Sequence, residues 1–114
     1  MPNKAPRAEV LQGTLDLMVL QTLSTMGPQH GYAIAARLEQ VSGGALQLNM
    51  GTLYPALMRL EQRGMLRGAW GVTDTNRRAR FYSLTPAGRS ALTSERRSWE
   101  RMAAIIQALL NSEA

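Results

Sequence analysis

Seven arginines, Arg59, Arg63, Arg67, Arg77, Arg78, Arg80 and Arg89, fall between residues 51 and 89, against two acids, Glu61 and Asp74. That segment carries the whole formal excess of +5, and the rest of the 114-residue chain is neutral. Twelve of the 13 basic residues are arginine. A guanidinium is a planar fork of donors that fits phosphate oxygens and the guanine edge, which a lysine ammonium cannot do. The chemistry on offer is therefore anion recognition, with nucleic acid as the leading partner class. A solvated basic face without a partner is the alternative. Arg77, Arg78 and Arg80 stand so close together that they repel one another unless an anion neutralises them.

Other chemistries lack their groups. No Ser/His/Asp set, paired acids, phosphate loop or metal-ligand cluster occurs, so no catalytic role, cofactor or metal is expected. Cysteine is absent, which excludes disulfides, a thiolate zinc site and a cysteine nucleophile. His30 is the single histidine, with no carboxylate at ligand spacing, and is expected to cap a helix. No stretch approaches the roughly 18 uncharged apolar residues of a membrane span, and residues 1–10 have no signal-peptide core. The expected location is the cytoplasm.

The elements that must carry the arginines can be read from pattern. Residues 1–10 are polar with two prolines and read as a flexible arm. Thr14 to Met26 reads as a helix with Thr14 as N-cap, ended by Gly27-Pro28, and its leucines leave almost no polar side. A second helix spans about Gly31 to Val41, with Tyr32, Ala35, Leu38 and Val41 as its buried stripe and Ile34 beside it. A short extended piece, Ala45 to Leu48, leads to a third helix. That helix begins near Gly51, because Pro55 is tolerated only close to a helix start, and ends at Arg63 before Gly64. Leu53, Leu57 and Leu60 form its buried face. Met65 to Val72 and Arg78 to Leu84 read as two strands joined by the turn residues Thr73 to Arg77. Thr85-Pro86 opens a last helix of about 26 residues, roughly 39 Å. Leu92, Trp99 and Ile106 recur every seven residues in it, with Met102, Ala103, Leu109 and Leu110 in companion positions. An apolar seam of that length on so small a domain implies a partner helix.

Three helices followed by a hairpin is the order of a winged helix-turn-helix: a mainly α, α+β fold in which the third helix enters the major groove of double-stranded DNA. Residues 11–85 form the DNA-binding domain and residues 86–114 a long C-terminal dimerisation helix. Gly51, Thr52, Tyr54, Arg59 and Arg63 lie off the leucine stripe and are the expected groove-facing set, with Gly51 leaving the helix end open to a phosphate. Tyr54 has a second reading as a plug between helices. Arg59 has a second reading in an ion pair with the neighbourhood of Glu61 or with a partner chain. Arg77, Arg78 and Arg80 are expected on backbone phosphates, whereas Arg89, in the first turn of the last helix, has a structural reading. Tyr32 is expected in the core.

These segments carry a closer resemblance. LQGTLDLMVLQTL (Leu11 to Leu23), HGYAIAARLE (His30 to Glu39), GTLYPALMRLEQRGML (Gly51 to Leu66) and NRRARFYSLTPAGR (Asn76 to Arg89), followed by a terminal helix with Trp99, resemble the PadR family of bacterial transcriptional regulators. The resemblance runs from about Val10 to Leu110. It implies a homodimer of the short form with one terminal helix, repression through an inverted-repeat operator and, in some members, release by a small hydrophobic effector. A tryptophan in this helix lines a drug pore in some relatives, so Trp99 and Met102 are candidate ligand contacts; packing across the seam is the other reading of Trp99. A winged-helix protein-interaction adaptor is the rival function, and it has no need of the arginine hairpin.

Overall fold

The computed structural model describes residues 12–112. The order is α1 (Gln12–Met26), β1 (Gln29–His30), α2 (Gly31–Val41), α3 (Met50–Gln62), β2 (Leu66–Val72), β3 (Arg78–Leu84) and α4 (Pro86–Leu110). The arm expected over residues 1–10 lies outside the described residues.

α1 sits at the centre. Leu15, Val19, Leu20 and Leu23 are buried against Ile34 and Leu38 of α2, Leu53, Ala56, Leu57 and Leu60 of α3, Leu66 of β2, Tyr82 of β3 and Leu92 of α4. Thr22 is buried among them because its hydroxyl donates to the Met18 carbonyl at 2.7 Å, which removes the cost of hiding it. α1 begins at Gln12, so Thr14 lies within it rather than capping it, and Asp16 falls in the second turn.

α2 is capped as expected: the His30 ring nitrogen accepts from the Ala33 N–H at 3.4 Å. Its rotation differs from the sequence reading. Gly31, Ile34 and Leu38 are the buried positions, while Tyr32 and Val41 are 67% and 68% exposed. Both stripes satisfy a helical period, and contact decides between them. The Met50 side chain lies 2.7 Å from where a Gly31 Cβ would stand, so the glycine edge can approach α3 and the Tyr32 edge turns outward.

α3 starts at Met50, with the Asn49 side chain accepting from the Thr52 N–H at 2.9 Å. It ends on Gly64, whose φ of 76° is open to glycine at little cost. There the Met65 N–H reaches the Leu60 carbonyl and the Gly64 N–H the Glu61 carbonyl, both at 2.9 Å, closing the helix with paired terminal bonds. The sheet is three-stranded and antiparallel, in the order β1-β3-β2. Its two long strands match the sequence reading; β1, two residues pairing Gln29 with Tyr82 and His30 with Phe81, was not anticipated. No strand forms over residues 45–48. The wing turns at Asn76, with φ 60°, a left-handed conformation asparagine tolerates.

Thr85 caps α4 by accepting from the Gly88 N–H at 3.0 Å, and its own hydroxyl donates to the Gly64 carbonyl. A Cβ on Gly88 would collide with the Met65 carbonyl oxygen. The foot of α4 is thereby pressed directly onto the backbone that joins α3 to the wing. Leu92, expected in the seam, instead belongs to this head: it is 9% exposed and packs in the core. Beyond it α4 still borders α1 and α2 at Arg96 and Trp99, and its side chains past Ala103 are exposed.

Candidate nucleic-acid interface

α3 turns one side inward, at Leu53, Ala56, Leu57 and Leu60. At 100° per residue the opposite side carries Gly51, Pro55, Met58 and Gln62, all exposed. Thr52 and Tyr54 flank this face, both exposed, and Arg63 is exposed at the helix end. Met58, 55% exposed, and Gln62 were not picked out from sequence, although the wheel that places the leucines inward places them outward. Pro55 removes one N–H from the helical ladder near its start. Asn49 satisfies the Thr52 N–H and also receives the Thr52 hydroxyl at 3.2 Å. A Gly51 side chain would press on that Asn49 oxygen at 3.1 Å, so the glycine keeps the cap as well as the open approach.

Arg59 stands apart from this face. Its guanidinium crosses to α1 and pairs with Asp16 at 3.1 Å, with the two side chains 30% and 16% exposed, and its Nε is buried without a partner. The structure therefore favours an ion pair for Arg59 over groove contact, but with Asp16 of α1 and not with the neighbourhood of Glu61 or a partner chain. Arg80 is also engaged: it donates to Glu61 of α3. Gly68, its diagonal neighbour across the ladder, makes room for this, because a Cβ there would sit 2.5 Å from the Arg80 Nε. The Glu61 bond holds the Arg80 proton more tightly, raising its pKa above the ordinary arginine value. Beneath it the buried Tyr82 phenol is also raised, first by desolvation and then by the Glu61 charge. Arg77 and Arg78 are exposed at the wing.

Trp70 on β2, paired with Arg80, is 60% exposed and was missed in the sequence. The Arg78 guanidinium lies 4.8 Å and the Arg80 guanidinium 5.9 Å from its ring centroid. The wing and α3 enclose an open cleft of about 940 Å³, lined by Tyr32, Tyr54, Trp70 and the arginines Arg77, Arg78 and Arg80.

Far from this surface, the outer part of α4 bears Trp99, Met102, Ile105, Ile106, Leu109 and Leu110, between 48% and 74% exposed, with Ala103 less so. Trp99 also borders a largely apolar cavity of about 650 Å³ against Leu17, Met18 and Met26 of α1 and Val41 of α2. Among the described residues no helix is long and apolar enough to cross a membrane.

The family model of the PadR-like transcriptional regulators matches residues 19–94, which take in α2, α3, the wing and the foot of α4. The chain belongs to the PadR-like family. An uncharacterized 37.1 kDa protein of a Streptomyces fradiae transposon is 44% identical over 86 residues, 75% of this PadR-like chain and 23% of that protein. A transcriptional regulator of Mycobacterium tuberculosis is 45% identical over 65 residues, 57% of this chain and 60% of its own. The chain thus spans less than two thirds of either curated relative. The crystal structure of a PadR-like regulator from Bacillus cereus superposes with a TM-score of 0.79 at 23% identity, covering 93% of this chain and all of that one, and shows the same winged-helix fold.

Proposed function

We propose that this PadR-like chain is a sequence-specific, homodimeric transcriptional repressor without catalytic activity. The observation that carries the reading is the surface formed by the outer face of α3 and the arginine wing. Tyr54 of α3 lines the same cleft as Arg77 and Arg78 of the wing, and Gly51 and Thr52 are exposed on the adjoining start of α3. In this reading Gly51, Thr52 and Tyr54 enter the major groove of duplex DNA with Met58 and Gln62, while Arg63, Arg77 and Arg78 meet phosphates. Arg80 acts from behind, tying the wing to α3 through Glu61. The bare apolar outer half of α4 supports a two-fold dimer through Trp99, Met102, Ala103, Ile106, Leu109 and Leu110. Two heads so joined read an inverted repeat with half-site centres about 34–36 Å apart, or a multiple of that.

A ligand-responsive form of this function is favoured by one observation, the apolar cavity beside Trp99. A planar hydrophobic effector bound there would press on α1 and α4 together and so alter the spacing of the heads, with a coupling of about 1–3 kcal/mol. The adaptor reading explains neither the arginine excess nor the open α3 face.

Genome-wide mapping of binding sites tests the proposal. An inverted-repeat motif shared among the recovered fragments is expected. Recovery of no enriched sequence, together with the absence of salt-dependent binding to mixed DNA, would favour the adaptor instead.

A further inference from the structure

The cleft between α3 and the wing holds a second kind of chemistry besides charge. Tyr32 from α2, Tyr54 from α3 and Trp70 from β2 line its walls, and Trp70 and Tyr32 are the most exposed, at 60% and 67%. Large rings left this open on a domain with a full core have a use outside it. Trp70 is also held in place. Arg80 is anchored to Glu61 and sits 5.9 Å from the indole centroid, and Arg78 sits 4.8 Å from it. Cation–π contact on an exposed ring restricts its rotation while leaving the rest of its surface free. The indole N–H has no hydrogen-bond partner among the described residues. Asp74 is the single acid lining the cleft, against three arginines.

Resting on the DNA-binding reading, we infer that this cleft seats one sugar–phosphate strand of the duplex and that Trp70 contacts it directly. The occupant follows from the pairing of groups. A phosphodiester strand alternates an anion with an apolar deoxyribose edge, and the cleft sets guanidinium groups beside aromatic rings, Arg78 lying 4.8 Å from the Trp70 ring centroid. Arg78 takes the phosphate, and the indole beside it packs on the neighbouring sugar. Tyr32, which lines the same cleft, offers that strand a further ring and a hydroxyl donor. Tryptophan at position 70 thus adds apolar contact area and a single neutral donor, where a further arginine would add charged donors with little apolar surface.

The sequence holds two tryptophans, Trp70 and Trp99, so the full chain with Trp99→Phe reports on Trp70 alone. Adding a mixed-sequence DNA duplex is expected to quench and shift the Trp70 emission, and inorganic polyphosphate, which has neither sugar nor base, is expected to leave it nearly unchanged. Trp70→Ala in the otherwise native chain should weaken duplex binding about tenfold with the salt slope preserved, and Trp70→Phe should recover most of the loss. An unchanged emission on saturation with duplex would overturn the contact. So would a loss of affinity accompanied by a flatter salt slope, since that is the result if Trp70 merely aligns Arg78. A chain that binds no duplex at all, by a readout independent of fluorescence such as gel mobility, overturns the DNA-binding reading itself.

Discussion

Arg59 on α3 and Asp16 on α1 form an ion pair across the head at 3.1 Å, 43 residues apart in the chain. The pair fixes the back of α3 to the central helix, and its two side chains are mostly covered. Removing one partner leaves the other charge poorly solvated. Asp16→Ala should therefore cost about 1–2 kcal/mol, between the values for exposed and fully buried pairs. Arg59→Ala should cost a similar amount, and the double variant should show coupling rather than additivity. Urea titrations of the four proteins give these values. A base-reading Arg59 would behave differently: its alanine variant would change preference among operator variants while Asp16→Ala would not.

Salt dependence separates the wing arginines. With Arg63, Arg77 and Arg78 on phosphates in each protomer, a dimer makes about six such contacts, and log K should fall against log salt with a slope near about −5. Arg78→Ala should flatten this by about two units and weaken all sequences alike. Arg80→Ala should change the slope much less and instead increase amide exchange in β2 and β3, because its partner is Glu61. Equal slope changes for both variants would return Arg80 to the phosphate set.

Tyr82 sets an alkaline limit. Burial and the Glu61 charge raise its pKa above 10.0 in the folded state. The unfolded chain then loses the phenolic proton first as pH rises. The stability from the neutral phenol is complete below 10.0 and is lost as pH climbs through the folded-state pKa. Thermal melting across this range should show the decline, and Tyr82→Phe should remove the part due to this group.

The outer half of α4 predicts an association. Full-length chain should sediment as a dimer at micromolar concentration, with a melting temperature that rises with concentration. Ile106→Glu should give monomers with folded heads, since Ile106 is 48% exposed and outside the core cluster. Trp99→Ala should cost the dimer about 3–5 kcal/mol if the ring is fully packed in the seam, and much less if it walls a cavity. A stable monomer of the native chain would exclude the seam.

The elements with strong local punctuation were legible in the sequence. Thr85-Pro86 fixed the start of α4, Gly64 the end of α3, and the alternation around Phe81 and Tyr82 the second long strand. Rotation about a helix axis was not legible. On α2 the stripes through Gly31 and through Tyr32 are equally periodic, and what chooses between them is Met50, nineteen residues from Gly31 along the chain. The candidate site was legible as a surface but not in its wiring. Seven arginines marked the region, yet their spacing could not show that Asp16 and Glu61 occupy two of them. Trp70 escaped notice because a lone aromatic in a strand usually packs inward; only the register, which sets it beside Arg80 and diagonal to Arg78, reveals otherwise.

Gly88 gives the long helix a fulcrum. The backbone of α4 rests on the Met65 carbonyl at a glycine, where no side chain intervenes, and the helix runs from there to Leu110, about 33 Å further on. A stiff rod held at its base magnifies any change there: a tilt of about 10° at Gly88 carries the far tip about 6 Å. In the proposed dimer, the reach between two heads joined at those tips depends on how closely two backbones cross at that single glycine as well as on the seam.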